Sequence, residues 1–132
     1  MSYNIAKDIY DTLTSDSNLL SLVSSGNIQI GWKREPPEYP SITFYQVAGY
    51  DRGQMGYSVL PSGSKTRTVI PVYGFTIFSR SSMKEILQID DALTKCLIKK
   101  GFEKLSDREG YDDEINAYVK LLTYRKKYFL ND

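Results

Sequence analysis

The sequence predicts an α+β fold: a mostly antiparallel, twisted sheet with helices packed on one face, in the order α-β-β-loop-β-α-β-β. Three observations carry this expectation. Apolar residues recur at helical spacing in Ile5, Ile9 and Leu13, and again in Ile86, Ile89, Leu93 and Leu97. "SITFYQVA" (41–48) and "RTVIPVYGFTIFS" (67–79) are rich in β-branched and aromatic residues and divide into two faces, as strands do. Strand-like segments also follow one another more often than they alternate with helices, which argues against a parallel sheet built from repeated βαβ units.

The elements follow in order. Ile5, Ile9 and Leu13, with Ala6 and Tyr10 beside them, make the first helix. "TSDSN" (14–18) supplies capping side chains, and "LLSLVSSG" (19–26) reads as a short second helical piece ended by Gly26. "NIQIGW" (27–32) alternates and reads as a strand. "EPPEYP" (35–40) then places three prolines directly ahead of the strand 41–48, which sets Ile42, Phe44 and Gln46 on one face and Thr43, Tyr45 and Val47 on the other. Residues 49–66 hold four glycines and little periodicity, and a connection of that length is functional or mobile. In 67–79, Tyr73, Phe75 and Ile77 face one way and Val72, Thr76 and Phe78 the other, while Pro71 implies an edge or a bulge. Ser82 and Glu85 form a capping-box pattern, and Gly101 ends the helix behind them. "FEKLSD", the acidic turn "REGYDDE" (108–114) and "INAYVKLLTYRKKYFL" close the chain as a hairpin.

Length and composition narrow the function classes. The 132 residues fit a single domain, 1–132, large enough to bury a core. With 17 basic and 16 acidic residues, there is no overall pull toward nucleic acid or anionic membrane. The opening "MSYNIAKDIYDTL" lacks the basic and apolar regions of a secretion signal, and no apolar run is long enough to span a bilayer. Cys96 is the only cysteine, which suits a reducing compartment and reads as a buried apolar residue. Tyrosine is abundant at 11 residues, a side chain suited to half-exposed sheets and interfaces.

Catalytic constellations are missing from the pattern. The chain has no histidine, so the commonest general base and metal ligand are absent together. "GSKT" (63–66) lacks the upstream glycine of a phosphate loop, since Ser58 stands there and a strand follows. "SDREGYDDE" (106–114) does not match the ligand order of a calcium loop. "YRKKYF" (124–129) mixes cations and aromatics as a single-strand binder does, but alternation sends Arg125 and Lys127 to one face and Tyr124, Lys126 and Tyr128 to the other. Lysines guarding an exposed or edge strand account for it better. The expectation is a non-enzyme with no cofactor and no metal.

"LLSLVSSGNIQIGW", the proline-rich approach and "YPSITFYQV" resemble the tail terminator and tail-completion proteins of long-tailed bacteriophages. The resemblance continues through "SRSSMKEILQIDDALTKCLIKKG" (79–101) as the amphipathic helix and "YVKLLTYRKKYFL" (118–130) as the final strand. It implies a structural protein at the head–tail interface of the virion, assembled in the host cytoplasm. Such a protein caps the tail tube, ends its polymerisation and supports joining to the head connector. The implied partners are the major tail tube protein, the head-completion or connector protein, and further copies in a hexameric ring, with genomic DNA passing only as cargo and no membrane involved.

Within this reading, Pro36, Pro37 and Tyr39 form a stiff arm free for a neighbouring subunit. Tyr50, Met55, Tyr57, Val59 and Leu60 supply apolar groups from a mobile loop, and Arg125 and Lys127 complete the expected interface. Two other roles fit the sequence: a head-side connector or minor tail protein, and, from another class, a small nucleic-acid-binding module.

Overall fold

The computed structural model describes residues 2–31, 35–51, 58–59 and 65–131. Three helices, α1 (Ser2–Thr14), α2 (Ser17–Leu20) and α3 (Met83–Lys99), lie on one face of a sheet. The strands are β1 (Ile28–Ile30), β2 (Ser41–Asp51), β3 (Ser58–Val59), β4 (Lys65–Ser79), β5 (Glu103–Asp112), β6 (Ala117–Arg125) and β7 (Tyr128–Asn131). Their spatial order is β1-β2-β4-β6-β5, with β3 and β7 both paired to β4. Every pairing is antiparallel except β1 with β2. The α+β architecture with helices on one face is therefore as the sequence implies.

Alternation along each strand divides the sheet into two surfaces. The inner surface is built from rows that cross the strands: Ile28, Ile42, Ile77 and Lys120; then Phe44, Phe75 and Leu122; then Gln46, Tyr73 and Tyr124. Onto these rows α3 lowers Ile86, Ile89, Leu93 and Leu97, all fully buried, while α1 adds Ile5, Ile9 and Leu13. Phe44 stacks on Phe75 at 5.3 Å between centroids, and Phe75 meets the edge of Tyr124 at 5.5 Å. Geometry of that kind adds to simple area burial.

Helix α3 is closed at both ends by its own sequence. Ser82 Oγ accepts the Glu85 amide at 3.1 Å. Glu85 does not return the bond to the cap. It accepts instead from Ser79 Oγ at 2.6 Å, and that hydroxyl in turn receives the amides of Ser81 and Ser82. At the far end Gly101 takes φ +94°, which a side chain would resist, and the Phe102 and Gly101 amides donate to the carbonyls of Leu97 and Ile98.

Several boundaries differ from those the sequence suggests. The second helix stops at Leu20, its N-cap Asp16 accepting the Leu19 amide, and Gly26 sits inside a 3-10 turn, Ser25–Asn27, rather than ending a helix. The strand expected at 27–32 is only Ile28–Ile30. The supposed loop 49–66 is shorter, because β2 runs on to Asp51, β3 occupies 58–59 and β4 begins at Lys65. Most of the acidic "turn" 108–114 is strand β5, and the reversal takes only 113–116, with Asn116 at φ +52°. Pro71 lies in central β4, not at an edge: Val72 pairs with Arg125 and Val69 with Tyr128, so the proline faces the break between β6 and β7, while β2 bulges nearby between Gln46 and Ala48. Tyr124 and Arg125 of "YRKK" likewise do not lie at an edge, since β6 runs between β4 and β5, and Lys126 and Lys127 fall in the break before β7.

Candidate interface surface

Among the described residues, no helix lies on the outer surface of the sheet. Its rows read Ser41, Phe78, Val119 and Gly110; then Thr43, Thr76, Leu121 and Arg108; then Tyr45, Gly74, Thr123 and Ser106; then Ala48, Val72, Arg125 and Glu103. The chain covers one end of this surface itself. Phe78, Ile115 and Ala117 form a small buried cluster with Tyr39 and Val119 packed against it. Arg80, in the connection from β4 to α3, fastens that cover. Its guanidinium lies 4.2 Å from the Tyr39 ring centroid, donates to the Ile115 carbonyl at 3.0 Å and pairs with Glu35 at 3.3 Å. One arginine thus joins the proline segment to the β5–β6 reversal. Two hydroxyls, Ser41 Oγ and Thr43 Oγ1, are buried on this half with no hydrogen-bond partner among the described residues.

The other half stays open. Val47 and Leu121 are each more than two-fifths exposed, and Phe129, beside Thr68 on β7, is 67% exposed. Val47 leans across Gly74: a Cβ there would meet Val47 Cγ1 at 2.9 Å. The Arg125–Glu103 pair at 3.0 Å marks the rim.

The residues the sequence nominates divide between the two ends of the sheet. Pro36 is buried and Tyr39 half-buried, so the proline segment is laid on its own chain instead of standing free; Pro37 is exposed. Tyr50 and Val59 contribute backbone to β2 and β3. Tyr50 lies about 30 Å away, nine residues along β2 from Ser41, and Val59 pairs with Lys65 at the start of β4. Met55, Tyr57 and Leu60, and the side chains of Tyr50 and Val59, lie outside the described residues. Arg125 is half-buried and paired with Glu103, and Lys127 is exposed in the break before β7. Arg80 escaped the sequence reading, because a single arginine between serines carries no periodic signal.

Beneath α3 lies a buried polar cluster that sequence reasoning also missed. Asp90, on the inner side of the helix, accepts from Lys120 Nζ at 2.6 Å and from Thr94 Oγ1 at 2.9 Å, and Thr94 also bonds the Tyr124 hydroxyl at 2.6 Å. Lys104 reaches Asp90 at 3.9 Å and Asp107 at 2.9 Å. Burial pushes the Tyr124 hydroxyl up, and the Lys104 bond holds the Asp107 carboxyl below its usual range. Burial would lower the Lys104 ammonium, but its two carboxylate neighbours more than offset this and leave it raised. Asp90 and Lys120 are both over nine-tenths buried, so the cluster joins helix to sheet. Burial also pushes the Cys96 thiol up to about 11, which keeps it protonated and unreactive. Among the described residues no three Cys, Asp or Glu side chains converge as a metal site, and no helix is long and apolar enough to cross a membrane.

No family model matches the sequence, and no curated protein matches it. Among solved structures, the fold is similar to that of a chain in the virion of a native gene transfer agent particle. The TM-score is 0.67 at 10% identity, and the match covers 92% of this chain and 91% of that one. The two chains thus share a fold over about nine-tenths of their lengths.

Proposed function

We propose that this protein is a structural subunit of a phage-type virion, acting at the head-proximal end of the tail as a terminator. It would cap the tube, end its polymerisation and support joining to the head connector, in a hexameric ring through which the genome passes. The observation that supports this reading most is the fold similarity to a chain of a gene transfer agent virion. A mechanism of subunit docking without covalent chemistry agrees with a sheet surface left half open and with polar groups spent on internal links. The nucleic-acid reading is disfavoured: Tyr124 and Lys120 are buried, and Arg125 is paired with Glu103.

The test is complementation of a terminator-deficient phage, with tail lengths counted by electron microscopy. Expected are over-long, headless tails without the protein and normal tails with it. Shortening residues 52–64 to a brief glycine-serine link should spare folding and abolish rescue, because that segment is proposed to contact adjacent subunits or the tube. Over-long tails that persist when the protein is supplied would sink the terminator role.

A further inference from the structure

The molecule carries exposed apolar groups on two opposite sides. On the open half of the outer sheet stand Val47, Leu121 and Phe129. On the solvent side of α3 stand Leu87, 47% exposed, and Ile98, 56% exposed. Eleven residues separate these two, three helical turns at about 100° per residue, so they lie on one ridge roughly 16 Å apart. Between them the Asp91–Lys95 pair, at 2.9 Å, neutralises itself. The ridge therefore offers two apolar ends and no net charge in its middle, an arrangement that can lie on a sheet without stranding an ion.

We infer that the open sheet half of one copy receives the Leu87–Ile98 ridge of α3 from the next copy. Each sheet would then be covered by its own helices on one surface and by a neighbour's helix on the other. The two patches differ and sit on opposite sides, so the contact is head-to-tail, and head-to-tail contacts close into rings when the rotation allows. Area selects this arrangement over a two-fold dimer. Four strands at about 4.8 Å spacing and five or six residues at about 3.3 Å give roughly 300–400 Å² of open sheet. Stable pairs need about 800 Å² per partner. A patch of half that size holds a neighbour weakly by itself and firmly only when each copy makes two such contacts in a closed ring. The inference deepens the assembly reading and rests on it only for ring closure; the contact itself is tested on the isolated protein, apart from any phage.

The experiment uses the full chain, wild type and two variants, by sedimentation over a range of concentrations up to about 1 mM. Leu121→Glu blocks the sheet patch and Leu87→Glu blocks the ridge; both positions are nearly half exposed, so folding should be preserved, checked by an unchanged thermal midpoint. The wild type should associate weakly and progressively, and each variant alone should stay monomeric. Mixed together, the variants should form a one-to-one dimer that grows no further, since one intact sheet patch meets one intact ridge. Continued self-association of Leu87→Glu would show a face-to-face contact and overturn the inference. So would a wild type that remains monomeric throughout, or a mixture that fails to dimerise.

Discussion

Replacing Lys120 by methionine isolates the buried ion pair between helix and sheet. Lys120 is 7% exposed and Asp90 8%, with 2.6 Å between their charged atoms. Removing one partner of a buried pair costs about 3–5 kcal/mol, because the other charge is left in an apolar interior. Here Asp90 keeps the Thr94 hydroxyl at 2.9 Å and the Lys104 ammonium at 3.9 Å, so the expected loss falls to about 2–3 kcal/mol. At roughly 3–5 °C per kcal/mol for a domain of this size, the thermal midpoint should fall by about 6–15 °C. Asp90→Leu alone should cost a similar amount by stranding Lys120. The double variant, with apolar groups of similar volume on both sides, should be more stable than either single variant. Denaturant unfolding at pH 7 measures all four proteins. If the two losses simply add in the double variant, Asp90 and Lys120 are not coupled, and the account of the cluster fails.

Two further expectations concern stability. Leu93 is fully buried under the sheet, and Leu93→Ala should cost roughly 2–5 kcal/mol; an unchanged thermal midpoint would mean that α3 packs by another face. Asp107, held below the usual carboxylate range by Lys104, binds fewer protons folded than unfolded at mildly acid pH. Its contribution is thus present above about pH 4 and is lost as the pH falls through its lowered folded value, so Asp107→Asn should flatten the decline in stability between pH 5 and 3. An unchanged slope would show that the exposed pair with Lys104 contributes nothing measurable.

The sequence was most informative where period and burial coincide. Ile86, Ile89, Leu93 and Leu97 form a single stripe, and all four are fully buried, while the opposed faces of 41–48 and 67–79 emerge as the inner and outer sheet surfaces. Elements decided by distant partners were harder to read. Residues 49–51 pair with 69–71 and thereby extend β2, although "GYD" alone resembles a turn. Residues 108–112 are charged yet become strand because β6 lies beside them, and an edge strand carrying Arg108, Glu109 and Asp112 is guarded against further pairing. Tertiary contact also made the polar cluster: nothing in the spacing of Asp90, Lys104 and Lys120 announces that three separate elements bring them together. The prolines ahead of β2 do stiffen that approach, but Arg80 and Ile115, far along the chain, decide that it lies against its own sheet.

Strand β4 gives the molecule a definite order of construction. β2, β3, β6 and β7 all register against it, and among the described residues the only pairings that bypass it are β1 with β2 and β5 with β6. Until residues 65–79 have left the ribosome, the N-terminal half can form α1 and the three-residue β1–β2 ladder, with Ile42 and Phe44 uncovered. A single strand pair of that size is marginal in water. The nascent chain therefore waits for its middle, and folding is governed by pairings between residues far apart, such as Ser41 with Phe78 and Thr66 with Asn131. Topologies dominated by such distant pairings fold on about the millisecond-to-second scale. A chain truncated before β4 would lack the strand against which β2, β3, β6 and β7 register, and with it the native sheet.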